Sequence, residues 1–224
     1  STGASNVILG TAGTIATPTA SSYVVGNFRK TYASAANLNY VGDDFPVGDA
    51  TNYTPVNITA GTTTNAGTLT VSTTPTDHPQ VTTPILSTGI DANLSVNRYW
   101  TFVSNGVATG TDIAATFNFI AGTPVDLDAG AQTFNFIVQR YDQAFWQQTT
   151  LNAAGADNTQ VGGIAIGTGT HDFAIGQPLP GGAPSPVGRF NVFQSATPAN
   201  DLEGKIFTKQ ASVSVTDLDV IHTN

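Results

Sequence analysis

The chain carries 224 residues, 7 of them basic and 15 acidic, for a net charge of -8 at pH 7. A pI near 4.4 argues against a nucleic-acid partner, and the absence of cysteine removes disulfides and thiolate metal centres. No apolar run approaches the ~18 residues of a membrane-spanning helix, yet 40% hydrophobic residues with recurring aromatics supply a real core rather than a disordered chain.

Thr, Val and aromatic residues recur among scattered Gly and Pro, while Glu, Lys and Leu are scarce, so the expected class is all-β. Residues 6–9, 14–17 and 23–32 are expected as strands, separated by Gly10, Gly13 and Pro18. Arg29 and Lys30, the only adjacent basic pair, point to opposite faces of the third run and suit an exposed strand end. Residues 39–49 read as strand, turn, strand. Asp43 and Asp44 supply the turn chemistry and Pro46 argues against a central strand. Residues 53–60 and 67–73 form an expected hairpin, with Leu69 and Val71 alternating against Thr68, Thr70 and Ser72. Three prolines and a glycine make 75–91 a long loop or domain junction.

The run 96–103, V-N-R-Y-W-T-F-V, is the strongest strand in the chain. Val96, Trp100 and Phe102 face one way, Tyr99, Thr101 and Val103 the other. A strand apolar on both sides belongs between layers, so this one is expected at the centre. Ile113, Ala115, Phe117 and Phe119 make one face of the next strand, and Phe134, Phe136 and Val138 repeat the pattern. With 145–150 and 171–175 these runs form a sandwich of about seven strands. Residues 176–188, with four prolines and four glycines, read as a linker or extended crossing. Residues 189–195, 204–208 and 211–221 then return to strand. In the last run Val213 and Val215 share a face before Leu218 and Val220 take over, a slip that a bulge near Asp217 would produce. The expected division is two β-sandwich modules at 1–92 and 93–176, a linker at 177–188 and C-terminal strands at 189–224.

Little in the chain points to catalysis. No G-x-S-x-G turn occurs, His78, His171 and His222 share no spacing, and Glu203 is the only glutamate. No catalytic residue is therefore expected. Asp126-Leu-Asp128-Ala-Gly130 has the character of a short calcium loop, with Asp126 and Asp128 as the ligands, although turn-forming aspartates explain it better because further ligands are lacking. Calcium is the one cofactor the chain brings to mind. Trp146 beside Phe145 is the candidate for sugar stacking, set against ordinary core packing. Asn52, Asn57 and Asn93 head N-x-S/T sequons.

Six segments occur in the order YVVGNFRKTY (23–32), FPVGD (45–49), NYTPV (52–56), VNRYWT (96–101), FIVQRY (136–141) and DFAIG (172–176). Together they make the chain similar to a module of large secreted surface proteins of Gram-negative bacteria, built from tandem Ig-like β-modules. RFNVFQ (189–194) through GKIFTK (204–209) resembles the opening strands of a further such module. The resemblance implies an Ig-like or jelly-roll-type fold and a surface location, and brings no catalytic residues; the long tandem array is the part not matched here. Met is absent even at position 1, and Ser1-Thr2-Gly3 is expected to follow a cleaved signal peptide.

These readings converge on a non-enzymatic, secreted structural subunit that polymerises with copies of itself into a surface filament or layer. The expected joint is strand exchange, with Val213, Val215, Leu218 and Val220 of the C-terminal run as donor face and the N-terminal strands as the other possible donor. The alternative is a monomeric adhesive or carbohydrate-binding module, stabilised by calcium.

Overall fold

A computed structural model describes residues 5–13, 15, 18–36, 38, 44–81, 88–109, 113–122 and 126–179. Val213, Val215, Leu218 and Val220, with the rest of 189–224 and most of the expected linker, lie outside the described residues. Strands are numbered in chain order. One sheet has seven, laid side by side as β1 (Asn6–Leu9), β3 (Asn27–Tyr32), β7 (Gly67–Thr74), β8 (Ile90–Asn105), β14 (Gly169–Pro178), β10 (Ile137–Tyr141) and β11 (Trp146–Gln148). A second has five: β12 (Thr150–Ala154), β13 (Asn158–Ile164), β9 (Ile113–Asn118), β6 (Val56–Ala60) and β4 (Asp44–Phe45). A two-stranded piece, β2 (Val24–Val25) with β5 (Val47–Gly48), is hydrogen-bonded to neither sheet but contributes Val47 to the shared core. The protein is all-β.

β8 is the central strand of the larger sheet, as expected, but a second sheet covers only its inner face, and Val103 on the outer face is 41% exposed. Val96, Arg98, Trp100 and Phe102 alternate along its inner side, all buried. Across the gap Phe117 of β9 meets Trp100 at 5.4 Å, Phe102 at 6.0 Å and Phe173 of β14 at 5.0 Å between ring centroids. Phe119 and Phe136 add a further pair at 5.7 Å. Trp100, Phe117, Phe136 and Phe173 therefore share one core between two sheets, the arrangement of a β-sandwich.

That core overturns the two-module division. The proposed boundary at 92/93 falls inside β8, and β8 pairs with β7 from Thr68 opposite Asn105 to Thr74 opposite Tyr99. Phe28 and Phe45 from the N-terminal part join the same apolar cluster as Phe173. Leu69 and Val71 are apolar on one face of β7, and a face of that size is buried by a second sheet rather than by a hairpin alone.

Other local expectations also shift. β6 and β7 do not pair as a hairpin; β6 lies between β4 and β9, so the chain crosses from one sheet to the other between them. The run 23–32 is split at Gly26, whose φ of 116° sends β2 to β5 and β3 to β7. Phe134 lies in a 3-10 turn (Thr133–Asn135) and is 70% exposed, so the strand face starts only at Phe136. Lys30 is buried, with its ammonium 4.8 Å from the centre of the Phe45 ring, a cation–π contact rather than an exposed strand end. Strands β12 and β13 were not anticipated. Val161 and Ile164 both reach the core because the register slips between them, where Gly163 has φ 69°. Among the described residues no helix is long and apolar enough to cross a membrane.

Candidate functional site

β8 carries a polar group on each face, and the N-terminal edge of its sheet carries an open groove. On the inner face, Arg98 is fully buried two residues before Trp100. Its Nε donates to Asp126 Oδ2 at 2.8 Å and its Nη2 to Asp126 Oδ1 at 3.0 Å. Nη2 also reaches Asp49, and Nη1 donates to Thr73 Oγ1 at 3.1 Å. Asp49 in turn takes the backbone N–H groups of Thr51 and Asn52, at 2.8 and 2.9 Å, and so caps the turn that follows β5. Burial would raise the Asp49 carboxyl, but the Thr51 amide and the Arg98 guanidinium outweigh it and hold the pKa down to about 2. Arg98, which burial would lower, is kept above its usual value by Asp126 and Asp49.

One member of the expected calcium pair belongs to this cluster. The Asp126 carboxylate is filled by Arg98 and by the Ile120 N–H at 3.2 Å, leaving a cation of the chain where a metal would sit. Asp128 faces elsewhere: its Oδ2 accepts from the Ser95 N–H at 2.8 Å and the Ser95 hydroxyl at 3.1 Å. The Asn97 amide, with its nitrogen turned toward the carboxylates, bridges Asp77 and Asp128 at 2.9 and 3.1 Å. Asp126 and Asp128 thus pin one loop to β8 through separate partners. Among the described residues no group of three metal-ligating side chains occurs. Sequence reasoning missed the role of Arg98. The signal was available, because position 98 shares parity with Trp100 and Phe102 and a charge there has to be paired.

On the outer face, His78 is the one buried residue of 75–81. Its Nδ1 accepts the Gln80 N–H at 3.1 Å, so Nε2 carries the hydrogen and donates to Asp172 Oδ2 at 3.2 Å. Tyr99, Tyr141 and Trp146 surround the imidazole with centroids at 4.8, 5.3 and 5.1 Å. Burial would raise the Asp172 carboxyl; hydrogen bonds from His78, Thr101 and Gln143 bring it below its ordinary value instead. Trp146, the candidate for sugar stacking, is half-buried and packed against Tyr141 and His78. His171 stands apart, with Nε2 near the Gly167 carbonyl at 3.0 Å. His222 lies outside the described residues.

The sequon asparagines differ in access. Asn93 is exposed at the start of β8, whereas Asn52 sits in the Asp49 turn and Asn57 in β6 accepts from the Asn118 amide at 2.9 Å.

At the sheet edge, β1 runs parallel to β3, with Val7 opposite Phe28, in a sandwich whose main sheets are otherwise antiparallel. Val7 and Ile8 are 44% and 61% exposed. A groove of about 280 Å³ opens beside them, lined among others by Leu9, Ile15, Tyr23, Val24 and Phe28. Neither a family model, nor a curated protein, nor a solved structure matches the chain.

Proposed function

We propose that this protein is a secreted structural subunit that assembles with copies of itself into a surface filament or layer, joined by strand addition at the β1 edge. The observation that carries this reading is the edge itself. β1 ends the larger sheet, leaves Val7 and Ile8 exposed and borders an apolar groove. An exposed apolar edge strand is a template for another strand, and folds that stay monomeric usually blunt such edges with charge or proline. The occupant is the run 211–221 of a second copy, whose Val213 and Val215, then Leu218 and Val220, supply alternating apolar side chains. The order of segments that resembles tandem Ig-like surface modules suggests the same setting.

The test is assembly of the purified chain followed by negative-stain microscopy. Regular filaments are expected from the full chain. A chain ending at residue 210 stays folded and unassembled, and a synthetic peptide of 211–221 restores part of the assembly. Filaments of normal appearance from the shortened chain rule out the C-terminal donor. Filaments unaffected by Ile8→Lys rule out β1 as the acceptor.

A further inference from the structure

The outer face of β8 holds an arrangement that neither core packing nor strand addition uses. Tyr99 of β8, Tyr141 of β10 and Trp146 of β11 stand as three walls, and Asp172 of β14 forms the polar end. The register explains their meeting. Asp172 lies opposite Thr101 on one side and Tyr141 on the other, and Tyr141 lies opposite Trp146, so all project from the same face of neighbouring strands. The strands thus build a box that is aromatic on its sides and anionic at its end, before the 75–81 segment is considered.

We propose that this box is a receptor site for a nitrogen base bearing an N–H group, of imidazole or amine type, and that His78 occupies it in cis as an exchangeable plug. Its chemistry selects such a ligand. Ring faces carry partial negative charge and attract cations or polarised N–H groups. A carboxylate that stays ionised at the end of an aromatic pocket requires a donor, because a buried unpaired charge is costly. Asp172 keeps Oδ1 for the Thr101 hydroxyl at 2.6 Å and shares Oδ2 between His78 and the Gln143 amide at 2.8 Å, leaving one position directed into the box. Polar atoms nearby are left over. The Trp146 Nε1 is buried without a hydrogen-bond partner, and so are both amide atoms of Gln139, two residues along the same face of β10. A packing arrangement selected only for stability would pair them.

The plug is weakly held. Of residues 75–81 only His78 is buried, and Pro75, Thr76 and Pro79 are exposed. Its own turn is closed by the Val81 N–H on the His78 carbonyl at 2.9 Å and the Gln80 N–H on Nδ1, both within the segment. A segment held to the strands by one buried side chain and by the Asn97 amide on Asp77 opens at lower free energy than the strands beneath it. Opening uncovers the complete box.

Removing the plug tests this on the full chain. In His78→Ala, imidazole is expected to raise the melting temperature and to change Trp fluorescence with saturation, and the fluorescence change disappears when Trp146→Phe is added. Adding Asp172→Asn instead weakens the response about tenfold or more, the worth of one hydrogen bond to a charged group. Furan, a ring of the same size without N–H, has no comparable effect. A folded His78→Ala chain with no saturable imidazole response overturns the proposal, as does equal protection by furan or full binding without Asp172. Should His78→Ala fail to fold unaided, refolding yield with and without imidazole gives the same decision: rescue by imidazole and not furan supports the box, and no rescue overturns it.

Discussion

The two faces of β8 answer the problem of a buried carboxylate differently. On the inner face Asp49 and Asp126 meet Arg98, a permanent cation with a rigid fork of donors, and the cluster binds a turn after β5 and a loop before Asp128 to the central strand. On the outer face Asp172 meets an imidazole carried by a segment with no other buried residue. The first arrangement ties its partners at several points, because Asp49 also holds the Thr51 and Asn52 amides and Asp126 the Ile120 amide. The second can lose its partner without losing a strand. Pairs of similar chemistry therefore differ in mechanical consequence, and the difference lies in what backbone each partner rides on.

The largest test of this contrast is Arg98→Met. Removing one member of a buried ion cluster leaves two carboxylates uncompensated and should cost about 3–5 kcal/mol in urea unfolding. Phe136→Ala, in the apolar core of the same layer, should cost a similar 3–5 kcal/mol, roughly. His78→Ala should cost less, about 1–2 kcal/mol, because Asp172 keeps Thr101 and Gln143. Equal losses from Arg98→Met and His78→Ala would erase the distinction between the faces.

Acid should reveal the inner cluster next. Asp49 has a folded pKa of about 2, below its ordinary carboxylate value, and Asp172 is also lowered. A lowered folded pKa contributes stability that is full above the ordinary carboxylate range and is lost as pH falls through it toward about 2. Melting temperature should accordingly fall between about pH 4 and about pH 2, and Asp49→Asn should flatten that fall. The smallest effect concerns calcium. With Asp126 taken by Arg98, melting in calcium and in chelator should coincide, and a calcium-dependent rise abolished by Asp128→Asn would restore the metal reading.

The central strand was legible because period-2 patterning over 96–103 is apolar on both sides, and few structures other than a middle strand satisfy that. Similar alternation in the following runs placed Phe117 and Phe136 inward, as found. What the pattern could not give was pairing. β6 and β7 look like a hairpin in sequence, yet each finds its neighbours elsewhere, β6 beside β9 and β7 beside β8. β13 escaped notice because its inward residues Val161 and Ile164 are out of phase across Gly163. Of the functional features, the acidic loop was visible but its partner was not, since Arg98 and Asp126 are brought together only by the fold. The His78 box was invisible for the same reason: its members come from separate segments, and each alone is an ordinary aromatic or polar residue.

The position of β8 also governs how the protein is made. Its first neighbour, β7, directly precedes it in the order of strands, but its second, β14, begins only at Gly169. As synthesis proceeds from the N-terminus, one whole edge of the central strand stays unpaired until nearly all of the described chain has emerged. Such long-range closure is slow, on the order of milliseconds to seconds, and the waiting edge is an aggregation hazard.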